Sequence, residues 1–317
     1  KGYVSENQDP LEVAAQQLEK DGIDILHTIG GDDTNTMAAA LAKHLETSGK
    51  KLTVVGLPKT VDNDVFPIVQ TLGAWTAAEQ GAIFFENIAN ENTTSTRHLI
   101  IHEVMGRHCG WLTGATAEAY RKRLGDWSFL PSMRLSRECW DVHAVWVPEV
   151  DLDLDAEIER LNGVMDKHDC VNLFLSEGAG MDAIIREKEA GGEEVRRDAF
   201  GHARLDELNP GKWFASKLKE RLNADKVLVQ KSGYFGRSAA PNERDLELIK
   251  KSAFAGAGYA LDGQSGVAGM DEDAGGEMSC IAFPRIKGGK PFDIDLPWFG
   301  DMLSEIGQPK GARAAGH

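Results

Sequence analysis

Ile29-Gly30-Gly31-Asp32-Asp33-Thr34-Asn35-Thr36 decides how the rest of the chain reads. A stretch rich in isoleucine and leucine, Ile23 to Ile29, feeds into two glycines, then two adjacent carboxylates and small hydroxyl and amide residues. The spacing after them predicts an alanine-rich helix over Met37 to Glu46. Strand, glycine turn and helix is how open α/β sheets present phosphate-binding backbone at their carboxyl edge. The paired acids do not fit a plain phosphate site. They would repel an anion unless one recruits a metal cation and the other excludes something. A solvated turn with a helix N-cap is the plainer reading of this stretch alone.

A second strand, Leu52 to Leu57, ends in Pro58-Lys59-Thr60-Val61-Asp62-Asn63-Asp64. Two acidic clusters at the carboxyl ends of successive strands favour the functional reading of both. Alternate residues of an extended turn can face one way, so Asp62 and Asp64 could share a site, one as base on a hydroxyl and the other organising a cation. Lys59 puts a mobile ammonium beside them, suited to a phosphate.

The rhythm continues downstream. A helix over Thr71 to Ala89 precedes a strand, Arg97 to Val104, that ends in Met105-Gly106-Arg107. Gly106 would let a ligand approach the backbone, and Arg107 offers a forked donor to phosphate or carboxylate. Strand Val171 to Leu175 ends in Ser176-Glu177-Gly178. It superficially resembles a hydrolase elbow but lacks the flanking glycines, so Ser176 is no nucleophile, whereas Glu177 suits sugar hydroxyls. Strand Val227 to Gln230 runs into Lys231-Ser232-Gly233-Tyr234-Phe235-Gly236-Arg237. Further elements are a helix, Asn242 to Leu261, and a final strand, Met278 to Phe283. Arg186 to Leu208 reads as a polar excursion, and the chain from Pro309 as a disordered Gly/Ala-rich tail. His108-Cys109 has no further ligands spaced around it for a metal and reads as a core or helix-start pair.

Composition narrows the classes. The chain has 317 residues, 42% hydrophobic and 27% charged, enough for two α/β domains. A formal charge of −15 argues against nucleic acid or an anionic membrane as partner. No apolar stretch approaches the roughly 20 residues that span a bilayer. Four scattered cysteines without a CxxC pair suit a reducing, cytoplasmic setting.

In this order, Gly30-Gly31-Asp32-Asp33-Thr34, Pro58 to Asp64, Met105-Gly106-Arg107, Ser176-Glu177-Gly178 and Tyr234-Phe235-Gly236-Arg237 resemble the landmarks of the phosphofructokinase family, specifically its pyrophosphate-dependent branch. The resemblance spans most of the chain. It implies two Rossmann-like three-layer α/β/α domains with mostly parallel sheets and the active site in the cleft between them. Residues 1–75 and 243–285 would bind the phosphoryl donor and Mg²⁺, residues 76–242 the sugar phosphate, and 286–317 would form a C-terminal segment. The implied reaction moves a phosphoryl group to the 1-hydroxyl of fructose 6-phosphate, reversibly. Asp62 would be the base, supported by Thr60 and Asp64, and Asp32 would organise Mg²⁺. Gly31, Asp33, Thr34 and Lys59 would meet the donor. Met105, Gly106, Arg107, Glu177, Tyr234, Arg237 and Lys231 would hold the sugar phosphate, together with Thr60 and Asp62.

Donor choice turns on two positions. ATP-using relatives commonly carry Gly-Gly-Asp-Gly and Pro-Gly-Thr where this chain has Asp33 and Lys59. Asp33 would crowd and repel the α-phosphate of ATP, and Lys59 would attract pyrophosphate. An ATP-dependent enzyme and a non-catalytic regulatory subunit are the alternatives, the second disfavoured by Asp62, Asp64 and Lys59. The family opens with a strand and a glycine-rich phosphate loop that do not precede Lys1, so the resemblance implies a member truncated at its amino end. It also implies a homo-oligomer, dimer or tetramer.

Overall fold

A computed structural model describes residues 8–133, 135–196 and 208–314. The chain opens with α1 (Pro10–Lys20), β1 (Ile25–Gly30), α2 (Asp32–Thr47), β2 (Thr53–Pro58), α3 (Ala74–Ala89), β3 (His98–Val104) and α4 (Trp111–Leu124). Next come β4 (Ala144–Trp146), β5 (Val150–Asp151), α5 (Leu154–His168), β6 (Cys170–Ser176), α6 (Met181–Ala190), α7 (Pro210–Arg221) and β7 (Lys226–Lys231). The remainder is α8 (Gly233–Arg237), α9 (Glu243–Leu261), β8 (Gly266–Asp271), β9 (Glu277–Ile281), α10 (Pro297–Glu305) and β10 (Ala312–Arg313). Two compact units result, residues 1–74 with 241–290 and residues 75–240 with 291–317.

In the first unit the sheet order is β1-β2-β8-β9, parallel except for the antiparallel β8–β9 pair. Successive residues of β2 face opposite ways. Val54 joins Leu41 and Leu45 of α2 in the core on one face, while Val55 and Leu57 meet Gly256 of α9 on the other. Helix, sheet and helix therefore form three layers. α9 begins with a capping arrangement in which Asn242 Oδ1 accepts the Asp245 N–H at 3.0 Å. The Asp245 carboxylate in turn accepts the Gly73 N–H at 2.9 Å.

The second unit has a fully parallel sheet, order β4-β6-β3-β7. Every residue of β3 and β6 is buried, as expected where helices cover both faces. Ile100 and Phe174 pack with Phe85 of α3 and Tyr120 of α4. Leu99, Ile101, Leu173 and Leu175 pack with Leu161 of α5 and Phe214 of α7. Phe292, Phe299 and Met302, in and beside α10, join the first of these cores. Buried Glu149 anchors that segment by accepting N–H groups from Phe292 at 2.7 Å and Gly110 at 2.9 Å.

Several expectations shift. Helix α2 starts at Asp32, not Met37, because Asp32 and Asp33 sit in its first turn, where the helix dipole favours carboxylates. The strand expected over Met278 to Phe283 is β9; its partner β8 has no counterpart in the sequence reading, because its glycines Gly266 and Gly269 weaken the strand pattern. α10 was likewise not foreseen. Within the expected polar excursion, residues up to Ala190 belong to α6, and 197–207 lie outside the described residues. The stretch expected to be a disordered tail contains β10, whose Ala312 and Arg313 pair with β5; residues 315–317 lie outside the described residues. No helix among the described residues is long and apolar enough to cross a membrane.

Candidate active site

In the first unit, β1 and β2 run in register to a common carboxyl edge, Gly30 opposite Pro58. The glycine turn is locked by a buried amide: Asn35 Nδ2 donates to Gly30 O at 3.1 Å and Gly31 O at 2.8 Å. The Lys59 N–H donates to Gly30 O at 2.8 Å, so the two strand ends are tied together. Gly30 has no room for a side chain, since an added Cβ would lie 2.2 Å from Thr34 Oγ1. Gly31 faces Thr60, whose Cβ would lie 3.6 Å from an added Cβ. Asp32 is half-buried and accepts a long hydrogen bond of 3.4 Å from Thr36; Asp33 and Lys59 are exposed.

The Thr60–Asp64 turn is equally tied. Asn63 adopts a left-handed conformation (φ 55°), which Asn tolerates better than most residues. Its buried Oδ1 accepts from the Thr71 N–H at 2.8 Å, and Thr71 Oγ1 donates to Thr60 O at 2.8 Å. Asn63 thus points inward as an anchor, leaving Asp62 and Asp64 on either side of it. The Asp62 N–H donates to Thr60 Oγ1 at 3.2 Å, and Thr60 Oγ1 donates to Asp64 Oδ1 at 3.4 Å. Burial raises the Asp64 carboxyl above its ordinary pKa, and the charge of Asp32 adds to the rise. Gly31, Asp32, Lys59, Thr60, Asp62 and Asp64 are therefore brought to one edge.

In the second unit, β3 is central and its neighbours place Ser176 opposite Val104 and Lys231 opposite Glu103. The order of connection reverses beside β3, a switch point at which such sheets bind ligands. Gly106 sits at φ 122°, and a Cβ there would lie 2.3 Å from Cys109 O, so only glycine fits. Its N–H donates to Glu177 Oε1 at 3.2 Å, while Ser176 Oγ donates to Gly106 O at 2.6 Å. Ser176 is thus a buried fastener between two strand ends. Gly178 lies against the Arg107 carbonyl, where a Cβ would come within 1.9 Å of the oxygen. Burial raises the Glu177 carboxyl; the Gly106 N–H and the nearby Arg107 charge oppose the rise, and Glu103 adds to it.

A cavity of about 440 Å³ opens at this edge, lined among others by Glu103, Met105, Glu177, Lys231, Tyr234 and Arg237. Tyr234 and Arg237 stand on the short α8, and Arg237 Nη2 lies 3.3 Å from Met105 Sδ. Gly106 and Arg107 support the turn without lining the cavity. The sequence reading missed Glu103, Asn35 and Thr71. Glu103 was hidden as one more residue of a strand; its place immediately before Met105-Gly106-Arg107 was the available signal. His108-Cys109 stays with the core reading in that Cys109 is buried just before α4.

The phosphofructokinase family model matches residues 3–256. A protein of Methylomonas methanica named pyrophosphate–fructose 6-phosphate 1-phosphotransferase is 60% identical over 313 residues, covering 99% of this chain and 76% of that one. One of the same name from Mastigamoeba balamuthi is 54% identical over 315 residues, covering 99% and 77%. Among solved structures, the pyrophosphate-dependent phosphofructokinase of Nitrosospira multiformis matches with a TM-score of 0.66 at 18% identity, covering 96% of this chain and 73% of that one, a likeness of fold. With the family model matching most of its length and identities above one half over 99% of it, the chain belongs to the phosphofructokinase family.

Proposed function

We propose that this chain transfers a phosphoryl group from pyrophosphate to the 1-hydroxyl of D-fructose 6-phosphate, giving fructose 1,6-bisphosphate and orthophosphate in a reversible reaction (EC 2.7.1.90). The observation that carries this reading is 60% identity, over 99% of the chain, to a relative named for that reaction.

The residues take separate tasks. Asp62 accepts the proton of the attacking hydroxyl, and the Thr60–Asn63–Thr71 hydrogen bonds hold its turn in place. Positioning of this kind supplies much of the rate in phosphoryl transfer, which needs in-line alignment more than covalent help. Lys59, exposed beside the turn, places positive charge on pyrophosphate. Asp33, exposed in the first turn of α2, repels the α-phosphate of ATP. Gly31 and Thr34 complete the donor edge. In the second unit, Arg237 and Lys231 balance the phosphate of the sugar from within the cavity and Arg107 from the turn beside it, while Glu177, Met105 and Tyr234 shape its seat and Gly106 holds the turn.

The residues fit Mg²⁺. Asp32 and Asp64 are close enough for one charge to raise the pKa of the other, and Mg²⁺ is usually held by one or two carboxylates plus water and phosphate oxygens. Asp32 would hold it, and the ion would neutralise charge on the transferring phosphates. No cluster of three or more His, Cys, Asp or Glu residues arranged for a metal occurs among the described residues, which accords with an ion shared with substrate. We place the protein in the cytoplasm as a homo-oligomer, a reading supported by its family and by four cysteines scattered without a CxxC pair.

Steady-state assay of the full-length protein with each donor tests the reading. Turnover with pyrophosphate far above that with ATP is expected, and a preference for ATP would overturn the donor assignment.

A further inference from the structure

The cavity of the second unit contains a carboxylate that the roles above leave unused. Glu103 is 5% exposed, yet it lines the cavity at the end of β3. Both of its oxygens are committed. Oε1 lies 2.7 Å from the Lys231 ammonium, and Oε2 accepts the Gly211 N–H at 2.9 Å, at the start of α7. Lys231 Nζ also donates to Asn209 Oδ1 at 3.1 Å. An ammonium has three N–H donors. Two are spent on Glu103 and Asn209, so their direction fixes the third.

We propose that Glu103 is a positioning residue for sugar-phosphate binding, holding the Lys231 ammonium at one point of the cavity so that its remaining N–H meets the anionic group of the substrate. A lysine side chain has four rotatable bonds and carries roughly 2 kcal/mol of rotamer entropy. Anchoring its end before binding removes much of that cost from the binding step. Each Glu103 oxygen already holds a partner, so its influence on the substrate runs through Lys231. It is also too deeply buried to be a surface ion pair of the weak kind, and a carboxylate left there without its partners would be costly. The pairing across β3 and β7 explains the placement: Glu103 and Lys231 are register partners on neighbouring parallel strands.

This inference rests on the proposed placement of the sugar phosphate in this cavity, and a double-mutant cycle separates the two. In the full-length protein, Glu103→Gln is expected to raise KM for fructose 6-phosphate about tenfold, with a much smaller change in kcat. Lys231→Met should raise KM more. In the Lys231→Met background, Glu103→Gln should then add nothing. Asn209→Gly suits the left-handed backbone of that residue (φ 50°) and frees the same ammonium from its other anchor; it should give a smaller rise that also vanishes in the Lys231→Met background, and it serves if Glu103→Gln does not fold. Equal effects of Glu103→Gln or Asn209→Gly with and without Lys231 would overturn the positioning role, as would an unchanged or lowered KM for Glu103→Gln. An unchanged KM for Lys231→Met would instead overturn the placement of the sugar phosphate.

Discussion

The two strand-end regions handle charge in opposite ways. In the first unit, the Thr60–Asp64 turn is held by neutral groups, Asn63, Thr71 and backbone amides. Burial and the charge of Asp32 push the Asp64 carboxyl up. Lys290 offsets this only partly, because its ammonium donates to Ile68 O at 2.6 Å and to Glu272. In the second unit each carboxylate has a donor of its own: Gly106 for Glu177, Lys231 and Gly211 for Glu103. An edge where neighbouring carboxylates repel one another suits a ligand that arrives with a cation. A balanced cavity suits one that presents both a phosphate and hydroxyls.

The sharpest way to break this comparison is at Asp62. Asp62→Asn should lower kcat by about 10² to 10⁴ with little change in KM for fructose 6-phosphate, because only proton acceptance is removed. A KM effect of similar size would mean that the acidic edge binds sugar rather than doing chemistry. On the other side, Gly106→Ala should act on binding and stability. Its φ of 122° and the Cys109 carbonyl both oppose a side chain, at a cost of about 1–3 kcal/mol. Thermal unfolding should show a lowered Tm, and kinetics a raised KM for fructose 6-phosphate with pyrophosphate KM unaffected.

Donor choice is a smaller effect. Lys59→Ala should reduce turnover with pyrophosphate about tenfold, the worth of one charged hydrogen bond. Asp33→Gly should permit ATP binding measurable by calorimetry; no gain would remove the argument from charge and crowding.

The smallest effect concerns stability. The folded pKa of Asp64 is raised, so the native state holds its proton more tightly than the unfolded chain does. The stabilisation this provides is present below the unfolded pKa near 4 and is lost as pH rises through the folded value. At pH 7 the ionised group therefore costs stability. Asp64→Asn should raise Tm at pH 7 in the absence of magnesium, with the gain disappearing near pH 3, as thermal unfolding at the two pH values will show. A lower Tm at pH 7 would show that the carboxylate is better paired than its neighbours suggest.

Much of this architecture was legible in the chain. Short apolar runs such as Leu99 to Ile101 and Leu173 to Leu175 suit a sheet buried on both faces, and glycine-bearing motifs at their ends mark the carboxyl edge. Less legible were elements whose local signal is weak. β8 carries two glycines, and α10 is held by a core that includes Phe292, far from any periodic pattern. The start of α2 was hidden too, because Asp-Asp-Thr-Asn reads equally as a turn or as the first turn of a helix. The Asn35 N–H decides for the helix by donating to Gly31 O at 3.1 Å, which closes its first turn.

The sequence by itself determined the strand–turn–helix rhythm, the family, and which residue types could act at each strand end, since these depend on local periodicity and on chemistry carried within a few residues. The tertiary structure decided how those residues are held. Asn63 faces inward and its flanking aspartates do not, because Thr71, eight positions on, supplies the partner for its amide. Glu103 becomes part of the cavity because parallel pairing sets it opposite Lys231, more than a hundred residues away in the chain. Contacts over such separations have no local signature; they exist only once strands have found their register.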